Sequence, residues 1–172
     1  AEAPITYRAY PGEKPILSGG LSISNWRQEG DFWVADVPEA ATLKDFHELW
    51  VGDERRSPAR TPNATNPAGD EPPDSDFFHT AGPVMIKDGD GKDVKSSTAF
   101  KFREGELQAW DTLDDAVVVV FHSWATSLMR IKNVDWEKRE LAFTGPARWT
   151  FCRWQNDQRY YIEYLFEALD AP

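Results

Sequence analysis

The chain of 172 residues contains one cysteine, three histidines and two methionines. Cys152, alone, forms no intrachain disulfide and no multi-thiolate zinc or iron–sulfur site. One cysteine does not fix a redox compartment either. His47, His79 and His122 lie far apart and lack the i, i+4 spacing of a helical metal motif, so neither metal nor cofactor is expected. Long apolar runs are missing. The longest, Ala116 to Phe121, has six residues, against the about 20 that a membrane helix needs. Positive charge is scarce, with 19 Lys and Arg against 29 Asp and Glu for a net charge of −10. Such a surface repels phosphate backbones and anionic lipid, which excludes nucleic acid and membrane as expected partners. Helical periodicity and a Gly-rich phosphate loop between strand and helix are both lacking. The chain opens at Ala1 without a Met or an apolar signal core, and reads as a processed chain or an excised segment.

What is present is mostly period two. Ile5, Tyr7 and Ala9 alternate with polar neighbours, and Phe32 with Val34 forms a second short strand-like run. Leu49-Trp50-Val51, then Gly52-Asp53, then Glu54-Arg55-Arg56 predicts a hairpin with a two-residue turn. Val84-Met85-Ile86 before Asp88-Gly89-Asp90-Gly91 predicts another. The strongest signal runs from Ala116 to Trp124, where four successive valines favour a strand buried on both faces. Ser127 to Val134 pairs with it through a tight connection at Ala125-Thr126, and Leu141-Ala142-Phe143 closes a further hairpin through Asp135 to Arg139. Ser57 to Asp76, rich in Pro, Asn, Asp and Gly, is a long loop that is functional, surface-packed or a domain crossing. The expected fold is all-β, an antiparallel sandwich or barrel.

The opening "APITYRAYPGEKPILSGG" resembles a coil of the bacterial right-handed parallel β-helix proteins related to pectate lyases and β-helix glycoside hydrolases. The closing "NDQRYYIEYLFEALDAP" resembles the point where those proteins return to the helix. Between them, "FHELWVGDERRSPARTPN" and "DDAVVVVFHSWATSLMRIKNVD" are similar to the β-rich domain inserted between early coils. Gly52-Asp53 departs from the Asn-Gly usual in relatives, and the Gly-Glu-Trp-Tyr phrase that follows in the family is lacking before Pro172. The resemblance implies a coil remnant over 1–24, an inserted antiparallel domain over 25–155 and a return segment over 156–172. It also implies that the catalytic acids of a parent glycoside hydrolase or polysaccharide lyase lie elsewhere, so this chain has no catalytic residues of its own. The rest of the parent β-helix would be its partner, and the parent would be secreted or periplasmic.

Eight tryptophans make sugar stacking a candidate chemistry, because flat aromatics take the apolar C–H faces of sugar rings; core packing is the competing use. Trp149 and Trp154, with Arg153 or Arg159 beside them, follow the Gly145-Pro146 turn and form the best platform. An acidic or hydroxyl-rich sugar suits that chemistry. His122 and Trp124 are expected on one strand face, as a sugar-binding or packing pair, while His122 and its neighbour Ser123 point to opposite faces and make a poor base–nucleophile pair. Asp88, Asp90 and Asp93 have part of a calcium-loop spacing, but Gly91 falls at position four and Ala99 at position twelve, so a hairpin turn explains them. Three functions follow: a non-catalytic insert shaping the cleft of a β-helix carbohydrate-active enzyme, a stand-alone carbohydrate-binding β-sandwich, or a structural cap on the β-helix end.

Overall fold

Residues 3–41, 48–52, 54–65 and 72–170 are described by the computed structural model. The chain divides into two units, Ala1–Arg55 and Arg56–Pro172. Two small hairpins form in the first. In one, β1 (Arg27–Glu29) pairs antiparallel with β2 (Phe32–Val34), and Gly30 at a φ of 60° supplies the left-handed turn. In the other, which runs to the boundary, β3 (Leu49–Val51) pairs with β4 (Glu54–Arg56). Gly52 takes a φ of 62° there, as the expected turn requires, while Asp53 lies outside the described residues, as does His47.

The alternation of Ile5, Tyr7 and Ala9 makes no strand; none forms among the described residues before Arg27. Ile5, Tyr7, Ile16 and Leu17 are exposed. Alternation becomes a strand only where a neighbouring strand takes up the backbone N–H and C=O groups, and this segment has none.

The second unit is a closed antiparallel barrel. Its strands are β5 (Arg60–Thr61), β6 (Phe78–Lys87), β7 (Asp93–Phe102), β8 (Val117–Phe121), β9 (Thr126–Asp135), β10 (Glu140–Phe143) and β11 (Arg159–Glu163). The order β11-β6-β7-β10-β9-β8 returns to β11, which closes six strands into a ring. The alternatives of sandwich and barrel are thereby resolved to a barrel. β11 pairs along one edge with β8, from Tyr160↔Val120 to Glu163↔Val117. Along its other edge it pairs first with β6, through Arg159↔His79, and then with the short β5, through Ile162↔Thr61. Residues 156–172, expected as a return to a β-helix, thus contribute a barrel strand.

The expected hairpins are present. β8 meets β9 from Val117↔Arg130 to Phe121↔Thr126, and β9 meets β10 through Asp135↔Glu140. At the β6–β7 turn the Asp88 carboxylate accepts the N–H groups of Asp90 and Lys92 at 3.0 and 2.9 Å, which makes it a turn cap. Among the described residues the only helical pieces are short 3-10 turns, at Pro38–Ala41, Asp74–Asp76, Leu113–Asp115 and Phe166–Ala168. No described helix is long and apolar enough to cross a membrane.

The barrel interior follows from strand alternation. Val118 and Val120 from β8, Met129 and Ile131 from β9, Leu141 and Phe143 from β10, Phe100 and Phe102 from β7, and Tyr160 and Ile162 from β11 are buried together. Val117 and Val119, on the other face of β8, are buried as well, so the four-valine run is covered on both sides. The outer face near β8 and β11 carries Phe77, Phe121 and Tyr161 in mutual ring contact. Arg60 stacks on Tyr161, with its guanidinium carbon 3.8 Å from the ring centre, and donates to the carbonyls of Pro62 and Asp76. The buried Asp76 carboxylate in turn accepts the N–H and hydroxyl of Thr65 at 3.0 and 2.8 Å. The segment from Ser57 to Asp76, expected as one long loop, contains β5 and the Asp74–Asp76 turn, and its described parts are packed on the surface by polar anchors at both ends.

Val118→Ala should cost about 2 kcal/mol or more in a urea titration, from lost transfer energy and a cavity between Met129 and Ile162. Leu128→Ala, at an exposed site on the next strand, should cost no more than about 0.5 kcal/mol. Equal losses at the two positions would contradict the assigned interior.

Candidate functional site

β8 and β10 both run antiparallel to β9, so the turn after β8 and the loop after β10 leave the barrel at the same end. The turn presents Trp124. The loop, from Thr144 to Asp157, presents Trp149, Arg153 and Trp154. These residues meet. The Trp124 and Trp154 ring centres are 4.6 Å apart, Trp149 lies 6.0 Å from Trp154 and 6.2 Å from Trp124, and all three pairs are tilted or edge-on. Such geometry suits the aromatic quadrupole. The Arg153 guanidinium carbon sits 5.1 Å from the Trp149 ring centre and 5.0 Å from that of Trp154. Arg148 lies over Trp149 at 5.9 Å. Trp124 is 69% exposed and Trp154 46%. Indoles that open to water beside charged groups are poorly explained as core.

A dense backbone and side-chain network holds the loop. Ala147 and Phe151 donate their N–H groups to the carbonyls of Ser97 and Ser96 on β7. Lys95 reaches the Cys152 carbonyl, and Thr80 on β6 donates its hydroxyl to the Asn156 carbonyl at 2.6 Å. Thr80 Oγ1 also accepts the Gln158 N–H at 2.9 Å. Phe151 plugs the barrel end, fully buried against Phe100 and Phe143. Cys152 then takes a φ of 56°, a left-handed conformation uncommon outside glycine, which reverses the chain from the inward Phe151 to the outward Arg153 and Trp154. Burial pushes the Cys152 thiol above its ordinary range, which makes a thiolate nucleophile unfavourable there.

His122 lies beneath this loop. It is 8% exposed and stacks on Phe151, with ring centres 5.9 Å apart. His122 and Trp124 therefore do not share a face as expected. β8 ends at Phe121, and residues 122–125 form a turn closed by His122 N–H to the Ala125 carbonyl at 2.7 Å, so strand alternation stops before Trp124. The ring tautomer follows from its partners. Gln158 Oε1 accepts the Cys152 N–H at 2.6 Å, which turns the Gln158 NH2 toward His122 Nδ1. This contact, at 3.4 Å, favours an accepting Nδ1 and a proton on Nε2, which faces Ser127 Oγ at 3.0 Å. A general base needs the reverse, a protonated Nδ1 held by a carboxylate and a free Nε2 lone pair toward the nucleophile. His122 is thus a structural link between turn and loop. Ser127, rather than the neighbouring Ser123, is its partner.

The expected platform residues divide. Trp149, Trp154 and Arg153 come together with Trp124, whereas Arg159 stacks over Phe77 and Phe121 at 4.8 and 5.9 Å, among a different set of rings. Arg148, directly before Trp149, joins the cluster with no motif in the sequence to mark it. No group of three or more His, Cys, Asp and Glu side chains suited to a metal ion occurs among the described residues.

Burial holds the His122 pKa below the ordinary value of 6.5. The unfolded state therefore binds this proton more readily than the native state as pH falls. The stabilising contribution of neutral His122 is fully present above about pH 6.5 and is lost as pH drops through the lowered native value. His122→Gln should flatten the decline of Tm between pH 7 and pH 5. An unchanged slope in that variant would show that His122 titrates freely.

Comparison of the chain with family models, with curated proteins and with solved structures finds no match.

Proposed function

We propose that the barrel is a non-catalytic carbohydrate-binding module whose contact surface is the indole cluster of Trp124, Trp149 and Trp154. The single observation that carries this reading is the convergence of three tryptophans from two connections, two of them substantially exposed, at one barrel end. Sugar rings present apolar C–H faces to flat aromatics and hydroxyls to surrounding donors, and a rigid platform takes them at little ordering cost. The strand and loop hydrogen bonds described above supply that rigidity. The tying of His122 to Gln158 and Ser127 and the burial of the Cys152 thiol support a binding role over nucleophilic catalysis. The narrower reading, an insert in a β-helix polysaccharide-degrading enzyme met outside the cell or in the periplasm, rests on the resemblance of the terminal and central segments alone. As a structural cap on a β-helix, the same barrel would need no exposed indoles.

Intrinsic tryptophan fluorescence of the chain should change on titration with plant or algal oligosaccharides. Trp124→Ala, at the most exposed indole, should weaken binding about tenfold while leaving the unfolding midpoint near that of the parent chain. If no oligosaccharide binds, or binding survives in the Trp124→Ala, Trp154→Ala double variant, the module reading fails.

A further inference from the structure

Several arginines are spoken for in this acid-rich chain. Arg27 pairs with Glu29 and Asp36, Arg55 with Glu48, and Arg139 with Glu104. Arg60 gives its donors to carbonyls. Among the described residues Arg8, Arg103, Arg148 and Arg153 make no side-chain hydrogen bond or ion pair, and of these Arg148 and Arg153 lie on indole faces. Arg159 also lies on rings, but these are the buried Phe77 and the half-buried Phe121, with no indole among them.

The geometry points to a hexuronate residue of an acidic polysaccharide as the ligand, with Arg153 as the clamp for its carboxylate and Arg148 as a supporting charge. This inference rests on the carbohydrate-binding reading and names the sugar class. The Arg153 guanidinium carbon lies about equally near the Trp149 and Trp154 rings, at 5.1 and 5.0 Å, and its N–H groups have no hydrogen-bond partner among the described residues. A planar guanidinium fork suits two-point binding of a carboxylate. A uronate carries both required features on one ring, an apolar C–H face for an indole and a carboxylate at the rim. Trp154 lies close to both Arg153 and the open Trp124, so one sugar resting on the indoles lies within reach of the charge. Charge complementarity is local here. The net charge of −10 disfavours a dense polyanion such as duplex nucleic acid, with about one charge per 1.7 Å, more than a polymer with one charge per sugar.

The test is a fluorescence titration of the 172-residue chain with matched probes. These are oligomers of galacturonate, mannuronate, guluronate and glucuronate, the same oligomers after carboxyl reduction, and a single-stranded oligonucleotide. The expected result is that at least one oligouronide binds about tenfold or more tighter than its reduced counterpart. Arg153→Gln should collapse that ratio toward one, and Arg153→Lys, which keeps charge but not the fork, should restore only part of it. Matching circular dichroism and Tm across the variants excludes unfolding as the cause. If acidic and reduced oligomers bind alike, and Trp124→Ala abolishes both, the platform stands and the clamp is overturned. A preference for the acid that survives the Arg148→Gln, Arg153→Gln double variant also overturns it. Tighter binding of the oligonucleotide overturns the ligand class. Absence of binding by every probe overturns both readings.

Discussion

The second unit depends on one strand finding partners on both edges. β11 spans only Arg159–Glu163, yet it joins β8 on one side and β6 and β5 on the other. Without it, β6 and β8 would be open edges with unsatisfied N–H and C=O groups, and the interior built on Val118, Tyr160 and Ile162 would lose a wall. With it, six strands close into a ring and only the short β5 is left at an edge. The candidate site depends on the same closure. Gln158, directly before β11, links the Cys152 backbone, Thr80 and His122, so the loop carrying two of the indoles is fixed by the residue that begins the closing strand.

Local features of this fold were legible in the sequence because they are short-range. The β8–β9, β9–β10 and β6–β7 hairpins join neighbours through four or five residues, with Gly and Asp marking the β6–β7 turn, and the valine run announces a strand covered on both faces. Closure was not legible. The pairs Arg159↔His79 and Tyr160↔Val120 are made by backbone groups that every residue carries, across long separations, and nothing in side-chain pattern marks them. β1 was unmarked for a related reason: Arg27, Gln28 and Glu29 are polar, and only their partner Phe32–Val34 carries a strand signal. Ile5, Tyr7 and Ala9 show the converse, a pattern without a neighbour to pair with.

The site was half legible. Trp149, Arg153 and Trp154 cluster in sequence after a turn signal, and their proximity in space follows from that. Strand alternation puts Trp124 on a face with His122, whereas Trp124 joins the indoles because its turn leaves the barrel at their end. Arg159 is near Trp154 in sequence but belongs to β11, where the pleat sends it to Phe77 and Phe121. Gln158 gave no signal at all, since an amide becomes informative only once its two ends have identified neighbours.

Cys152 has a consequence beyond the geometry of its loop. A lone thiol at a protein surface is a route to intermolecular cross-linking, glutathione adducts and stepwise oxidation wherever the surroundings are oxidising. Here the sulfur is fully buried, its ionisation is opposed by desolvation, and it makes long contacts with Thr80 Oγ1 and the Asn156 carbonyl. Neither an oxidant nor a second thiol reaches it unless the loop lifts. While the loop is closed, the barrel keeps one covalent state in reducing and oxidising compartments alike.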